Sequence, residues 1–385
     1  MEVIVDGIIF EMHAKGGISR LYQEILPRMC QLDDALRITL LTEGKVKQSV
    51  PQHSRIAYWA IPSAARYLRP RRVWKPLVPP VRHFLRSLWI GRGGGKIWHS
   101  TYYTRPEQWN GAQVVTVPDM IHERFADLYD GPSYDEFRVQ KRCRVQEADA
   151  VICISETTRQ DLLRLYGLDS DSIYVIPLAH SDVFKPMKQE GDNVGGLATM
   201  LQSPFLLYVG ARSRYKNFSQ LMRAYSVWPR RTEVSLVAVG KPWSADEERR
   251  LMELGIQDRV HLLVDVDDEA LSQLYSRAVA FVYTSLYEGF GIPLLEAMAC
   301  GCPVIASRIP STIEVAGECA VYFEPTETES LIAAFDLALS EGRSSERVQA
   351  GLDRVKRYSW DETAKQTLGV YHALRSGMNS KRELL

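Results

Sequence analysis

Tyr287-Glu288-Gly-Phe-Gly-Ile-Pro-Leu-Leu-Glu296-Ala-Met-Ala-Cys-Gly-Cys-Pro303 decides how this chain is read. It follows the apolar run Ala280 to Tyr283, which predicts a buried strand, and leads into a helical pattern with Pro293 in its first turn, where a missing N–H costs nothing. Glycines ahead of a helix start let backbone N–H groups approach an anion, and the positive end of the helix dipole favours it. Glu288 falls in the loop and Glu296 about one turn into the helix, so both can face one bound ligand. A carboxylate does not stabilise phosphate; it suits sugar hydroxyls, which donate hydrogen bonds to it. A lone Gly-Phe-Gly would read more simply as a helix cap beside an exposed glutamate. Cys300 and Cys302 read as small buried residues rather than a redox or metal pair.

Working outward, short β-branched runs alternate with helical patterns along the chain. They are Val3 to Phe10, Arg37 to Leu41, Lys96 to His99, Gln113 to Val117, Ala150 to Ile154 and Ile173 to Ile176. The series resumes at Phe205 to Val209, Val234 to Val239, Val260 to Val264, Ala280 to Tyr283, Val304 to Ala306 and Val321 to Phe323. Continuous apolar strands separated by helices predict parallel sheets covered on both faces. The break from Lys185 to Ser203 reads as a linker between two doubly wound domains. Ligands in such sheets bind outside the carboxyl ends of the strands, so an interdomain cleft is the expected site.

The chain has 385 residues, 45% hydrophobic and 24% charged. No apolar run approaches the ~20 residues of a membrane-spanning helix, so a soluble globular chain of two domains is expected. Forty-seven basic residues balance forty-seven acidic ones, which argues against a nucleic-acid partner. The balance is uneven, however. From Gly44 to Pro106 there are thirteen Lys or Arg and no Asp or Glu, leaving 47 − 13 = 34 basic against 47 acidic elsewhere. The start on a strand pattern and six cysteines without CxxC pairs predict a reduced, cytoplasmic protein.

Other phosphate and metal chemistries fail on their residues. Gly91-Arg-Gly-Gly-Gly-Lys-Ile97 puts Ile97 where a P-loop needs Ser or Thr for magnesium. No Gly-x-Gly-x-x-Gly with a following acid trails the first strand, which removes the main support for a dehydrogenase. The eight histidines show no ligand spacing, so no metal is expected.

The opening stretch resembles the signature of the retaining glycosyltransferase family 4 (group 1), the glutamate-x7-glutamate motif of the two-domain GT-B fold. Other segments agree in order: Gly16-Gly17-Ile18, Ile154-Ser-Glu-Thr-Thr-Arg-Gln-Asp-Leu162, Tyr208-Val-Gly-Ala-Arg212-Ser-Arg-Tyr-Lys216-Asn-Phe and Ala270-Leu-Ser-Gln-Leu-Tyr-Ser-Arg-Ala278. The resemblance implies an α/β GT-B chain of two Rossmann-like domains. Residues 1–185 would bind the acceptor, 186–203 would link, 204–360 would bind the nucleotide sugar, and a terminal helix over 361–385 would pack back on the first domain. It implies transfer of a sugar from a nucleotide-diphosphate sugar, GDP-mannose or a UDP-sugar, to a saccharide or lipid-linked acceptor in bacterial polysaccharide or lipopolysaccharide synthesis. The alternatives are a GT-B synthase or phosphorylase acting on soluble sugars, and a non-catalytic nucleotide-sugar binding protein.

Without a metal or other cofactor, departing pyrophosphate falls to cations and backbone amides. The resemblance implies Arg212 and Lys216 as the diphosphate clamp, with Gly16 and Gly17 approaching the same phosphates from the other domain. It gives the ribose to Glu296 and the transferred sugar to Glu288. The amides of Phe290, Gly291 and Ile292, with Gly289 in the same loop, would hold sugar and phosphate, and Val264 would contact the base through its backbone. Arg212→Ala and Lys216→Ala are expected to cut turnover far more than they disturb folding. Configuration would be retained by a front-face, ion-pair-like substitution, with Glu288 not a nucleophile. The family carries His-Asp after a strand of its first domain. Pro118 replaces that histidine here, Asp119 is kept, and His122 is the nearby catalytic candidate, with His99 at the end of its strand a candidate for the cleft; the alternative is a structural or surface histidine.

The basic segment 66–96 mixes Arg with Trp, Phe and Leu, and puts Val81, Phe84, Leu85, Leu88 and Trp89 on one helical face beside Arg82 and Arg86. Two readings stand: a core helix with arginines snorkelling at its edges, or a face lying on the anionic inner leaflet of the cell membrane.

Overall fold

The computed structural model describes residues 1–12, 16–42, 45–60, 93–187 and 203–382, with side chains described as far as residue 377. The basic helical face of residues 81–90 and most of the expected linker lie outside the described residues.

Two compact units result. The first comprises Met1–Leu178 with Trp360–Leu385, the second Ala179–Ser359. The first carries β1 (Glu2–Asp6), β2 (Arg37–Thr42), β3 (Ile56–Ala60), β4 (Ile97–Ser100), β5 (Ala112–Val117), β6 (Ala150–Cys153) and β7 (Ile173–Val175), in the order β3-β2-β1-β4-β5-β6-β7. The second carries β8 (Phe205–Val209), β9 (Ser235–Val239), β10 (Val260–Leu263), β11 (Ala280–Tyr283), β12 (Val304–Ser307) and β13 (Ala320–Phe323), in the order β10-β9-β8-β11-β12-β13. Every recorded strand pair is parallel. The order reverses between β1 and β4 in one sheet and between β8 and β11 in the other, and such reversals are where doubly wound sheets take ligands.

Three expectations are corrected. The first strand ends at Asp6 rather than Phe10, and Ile8–Met12 is helical. Asp6, 2% exposed, accepts from Ser100 Oγ at 2.9 Å and Thr101 N at 3.0 Å, which fixes the strand end. At Gly7 an added Cβ would lie 2.5 Å from Thr42 Cγ2 and 2.8 Å from Leu41 O, so the chain must turn there without a side chain. The first unit ends at Leu178 rather than at 185 because residues 179–187 attach to the second: Phe184 packs edge-on against Tyr275, and Val183 O accepts from Ser272 Oγ at 3.1 Å. Finally, β3, absent from the strands read in the sequence, is an edge strand exposed along most of its length.

The terminal helix Trp360–Arg382 belongs to the first unit, tied by Thr363 Oγ1 to Pro177 O at 2.8 Å and by Asp361 to Arg28 Nε at 2.9 Å. His99 sits inside this unit, 1% exposed, bonded to Thr116 Oγ1 at 2.8 Å, to Tyr22 Oη at 3.3 Å and to Tyr371 Oη of the terminal helix. Its role is structural, and the cleft candidacy falls. Burial pushes its pKa down to about 3. The unfolded chain therefore takes up the proton first, near 6.5, so His99's contribution is full above that pH and is lost as pH falls toward 3. Between about pH 7 and pH 5 it should remove about 2 kcal/mol of stability. Urea unfolding across this range should show a flatter pH slope for His99→Gln than for the natural chain; equal slopes would reject the assignment.

Candidate active site

The register Ala280↔Leu206 and Phe281↔Leu207 makes β8 and β11 neighbours, so the segments leaving their carboxyl ends meet at the strand-order reversal. Leu286 N donates to Tyr215 O at 2.7 Å, and Thr284 Oγ1 donates to Lys216 O at 2.8 Å. These two bonds strap loop 210–217 to loop 284–291. Lys216, at the end of a short 3-10 turn Arg214–Lys216, then places Nζ 2.5 Å from Glu288 Oε1. Ser285 Oγ donates to the same oxygen. The rings of Tyr215 and Tyr283 lie 5.3 and 5.7 Å from Nζ, and burial with the neighbouring Glu288 charge keeps the Tyr283 phenol well above its usual pKa.

Gly291 caps the helix Ile292–Ala299 with φ 123, and an added Cβ would come within 2.9 Å of Leu294 Cδ1. Only glycine takes this conformation without strain, and it turns the amides of the helix start toward the loop. One turn on, Glu296 is 5% exposed and accepts from Tyr275 Oη of helix Asp268–Arg277 at 3.2 Å. Burial and this carboxylate hold the Tyr275 phenol protonated. Cys300 and Cys302 are buried free thiols, pushed up to about 11 and about 12 by desolvation, which fits the small-residue reading. Val264 follows β10 directly and is exposed.

Arg212 is arranged differently from Lys216. Its Nε donates to Glu247 Oε1 at 2.6 Å, and Nη2 donates to the carbonyls of Lys241 and Pro242 at 2.8 and 3.0 Å. The guanidinium lies 4.4 Å over Trp243 and presses on Gly240, where an added Cβ would be 2.9 Å from Nη1. Burial acts to raise the Glu247 pKa, but hydrogen bonds from Arg212 and Ser244 outweigh it and hold this carboxyl below the usual range. Only Nη1 has no partner among the described residues. The structure thus joins Lys216 to Glu288 and attaches Arg212 to the segment after β9.

The remaining expected residues are in the first unit. Gly16 and Gly17 are exposed at the start of helix Gly17–Leu32. Asp119 Oδ1 accepts from Ile121 N at 3.0 Å, and His122, its pKa lowered by desolvation, packs 4.6 Å from Tyr129 and 4.7 Å from Phe137. Among the described residues no group of three His, Cys, Asp or Glu side chains could hold a metal, and no helix is long and apolar enough to cross a membrane.

Residues 196–351 match the family model described as glycosyl transferases group 1. O-antigen chain mannosyltransferase B of Escherichia coli is 28% identical over 93% of this chain and 96% of its own. O-antigen chain mannosyltransferase RfbU of Salmonella typhimurium is 29% identical over 76% of this chain and 80% of its own. Residues 196–351 form a group 1 glycosyltransferase domain. Sucrose-phosphate synthase from Thermosynechococcus elongatus superposes with TM-score 0.76 at 19% identity, covering 98% of this chain and 100% of that one, which shows the GT-B fold.

Several residues that hold the expected site residues of this glycosyltransferase escape a reading by motif. Glu247 and Trp243 hold Arg212, Tyr275 holds Glu296, and Ser285 holds Glu288. Ser244-x-x-Glu247 is legible in the sequence as a helix-capping box, and both halves of that box form. Its carboxylate's second use, on Arg212, becomes visible only when β8 and β9 pair. A cation, a helix start and two buried carboxylates at one sheet edge suit a ligand with an anionic end and a hydroxylated end.

Proposed function

We propose that this chain transfers mannose, with retention, from GDP-mannose to a saccharide or lipid-linked acceptor in assembly of a bacterial surface polysaccharide. The observation that carries the reading is the strapped pair of loops that sets Lys216 and the helix start at Gly291 beside Glu288 and Glu296. The two O-antigen mannosyltransferase relatives support mannose and this kind of product.

In this reading Glu296 accepts from the ribose hydroxyls and Glu288 from the transferred sugar. Val264 meets the base through its backbone. Lys216, Nη1 of Arg212, the amides from Gly289 to Ile292, and Gly16 and Gly17 serve the diphosphate. The bond from the anomeric carbon to the β-phosphate oxygen breaks, and the phosphate leaves with the electron pair. The acceptor oxygen bonds to the same face, and its proton passes to the leaving phosphate oxygen. Charge on that phosphate is met by a cation and helix dipoles, so turnover needs no metal. Asp119 and His122 belong to the acceptor side.

The test is a panel of GDP-, UDP- and dTDP-sugars, followed by donor consumption with EDTA present and by NMR of the anomeric product. GDP-mannose should be consumed undiminished by EDTA, give an α-mannoside, and bind more weakly to Glu296→Ala; use of a UDP-sugar instead would overturn the donor assignment. The basic stretch from Gly44 to Pro106 supports docking on an anionic leaflet. Flotation should show binding to vesicles with anionic lipid, lost when Arg71, Arg72, Arg82 and Arg86 are neutralised; no lipid-dependent binding would reject that role.

A further inference from the structure

Tyr102 and Tyr103 leave the carboxyl end of β4, and Asp119 and His122 leave that of its neighbour β5. In an extended strand consecutive side chains point to opposite faces. Here both tyrosine rings contact Phe137, at 5.3 and 5.6 Å, because Tyr103 takes a left-handed φ of 59. That conformation is unusual for a bulky residue and is held from outside: Gln140 Nε2 donates to Tyr103 O at 3.0 Å. Tyr129 and Tyr134 extend the aromatic surface past His122, and Tyr134 is 39% exposed.

The polar groups on this shelf have a definite character. Lys141, 1% exposed, spends its charge inside, on Glu123 at 2.8 Å and Asp119 O at 2.8 Å. Tyr166 Oη donates to the other oxygen of Glu123 at 2.6 Å. At the surface stand Asp119 Oδ2, the His122 ring nitrogens and the hydroxyls of Tyr102 and Tyr134, none hydrogen-bonded among the described residues. A carboxylate beside aromatic faces repels a phosphate. It suits a neutral ring that has apolar C–H faces and hydroxyl donors at its rim.

We propose that this shelf is a saccharide subsite, which seats a pyranose ring on Tyr102 and Tyr134 while Asp119 accepts from its hydroxyls. Calling that saccharide the acceptor rests on the proposed function; the binding itself does not. Without donor, saturation-transfer NMR of the full chain with α-linked mannobiose and, in parallel, maltose should show contact with at least one. Tyr134→Ala and Tyr102→Ala should each weaken it about tenfold, and Tyr134→Phe should keep most of it. Asp119→Asn preserves the Oδ1 acceptor for Ile121 N and should still weaken binding. Hydrolysis of GDP-mannose by the two alanine variants should be unchanged, so failure of the donor reading shows separately. No contact with either disaccharide, or contact equal in all variants, would overturn the subsite.

Discussion

Lys216→Ala lowers turnover by about 10²- to 10³-fold, equivalent to about 3 to 4 kcal/mol of transition-state stabilisation. Lys216 is the one proposed diphosphate ligand whose charge faces the site rather than the protein interior, with an ammonium 2.5 Å from Glu288 and a side chain 18% exposed. Bound donor replaces that carboxylate with phosphate, and the charge developing on the leaving oxygen then falls on Nζ. The loss should appear in kcat more than in KM, because the interaction strengthens as the bond breaks. Stability should fall only modestly, since Glu288 keeps the Ser285 hydroxyl and some access to water. Steady-state kinetics with a thermal unfolding scan checks both; turnover within threefold of the natural chain would remove Lys216 from the mechanism.

Arg212→Ala acts on the fold as well, contrary to the expectation drawn from the motif. Its side chain is 5% exposed and its partner Glu247 20%, so the substitution leaves that carboxylate without its cation and with only the Ser244 bonds. Breaking a buried pair costs about 3 kcal/mol or more, which in a unit of this size lowers the unfolding midpoint by roughly 6 to 12 °C. Removing both partners leaves no orphaned charge, so Arg212→Ala with Glu247→Ala should recover much of that stability without recovering turnover. A single variant as stable as the natural chain would show that the pair contributes little, and a double variant as active would show that Nη1 does not reach the donor.

The doubly wound architecture was legible because strands buried on both faces are written as unbroken apolar runs, as at Val304 to Ala306 and Phe205 to Val209. Ile56–Ala60 was not, since an exposed edge strand has no such run. Ile8-Ile9-Phe10 extended the first strand on paper because apolar continuity cannot show that Asp6 is pinned by Ser100 and Thr101, 94 and 95 residues away. In the site, Glu288, Gly291 and Glu296 were legible from one short stretch in which loop and helix follow each other. Arg212 was legible as a residue but not in its attachment, because Glu247 is 35 residues off and arrives only through strand pairing. Tyr275 reaches Glu296 across 21 residues by the same route.

The bond from Leu286 N to Tyr215 O joins two peptide groups and involves no side chain. The strap itself is therefore insulated from sequence drift at position 286, whereas the Tyr215 ring also lies 5.3 Å from Lys216 Nζ. Relatives can diverge at 286, and an engineer can randomise that position to search for altered sugar preference, while Lys216 and Glu288 stay in register. Thr284 lacks this freedom: its hydroxyl is the other half of the strap, and libraries that vary it should yield few active members.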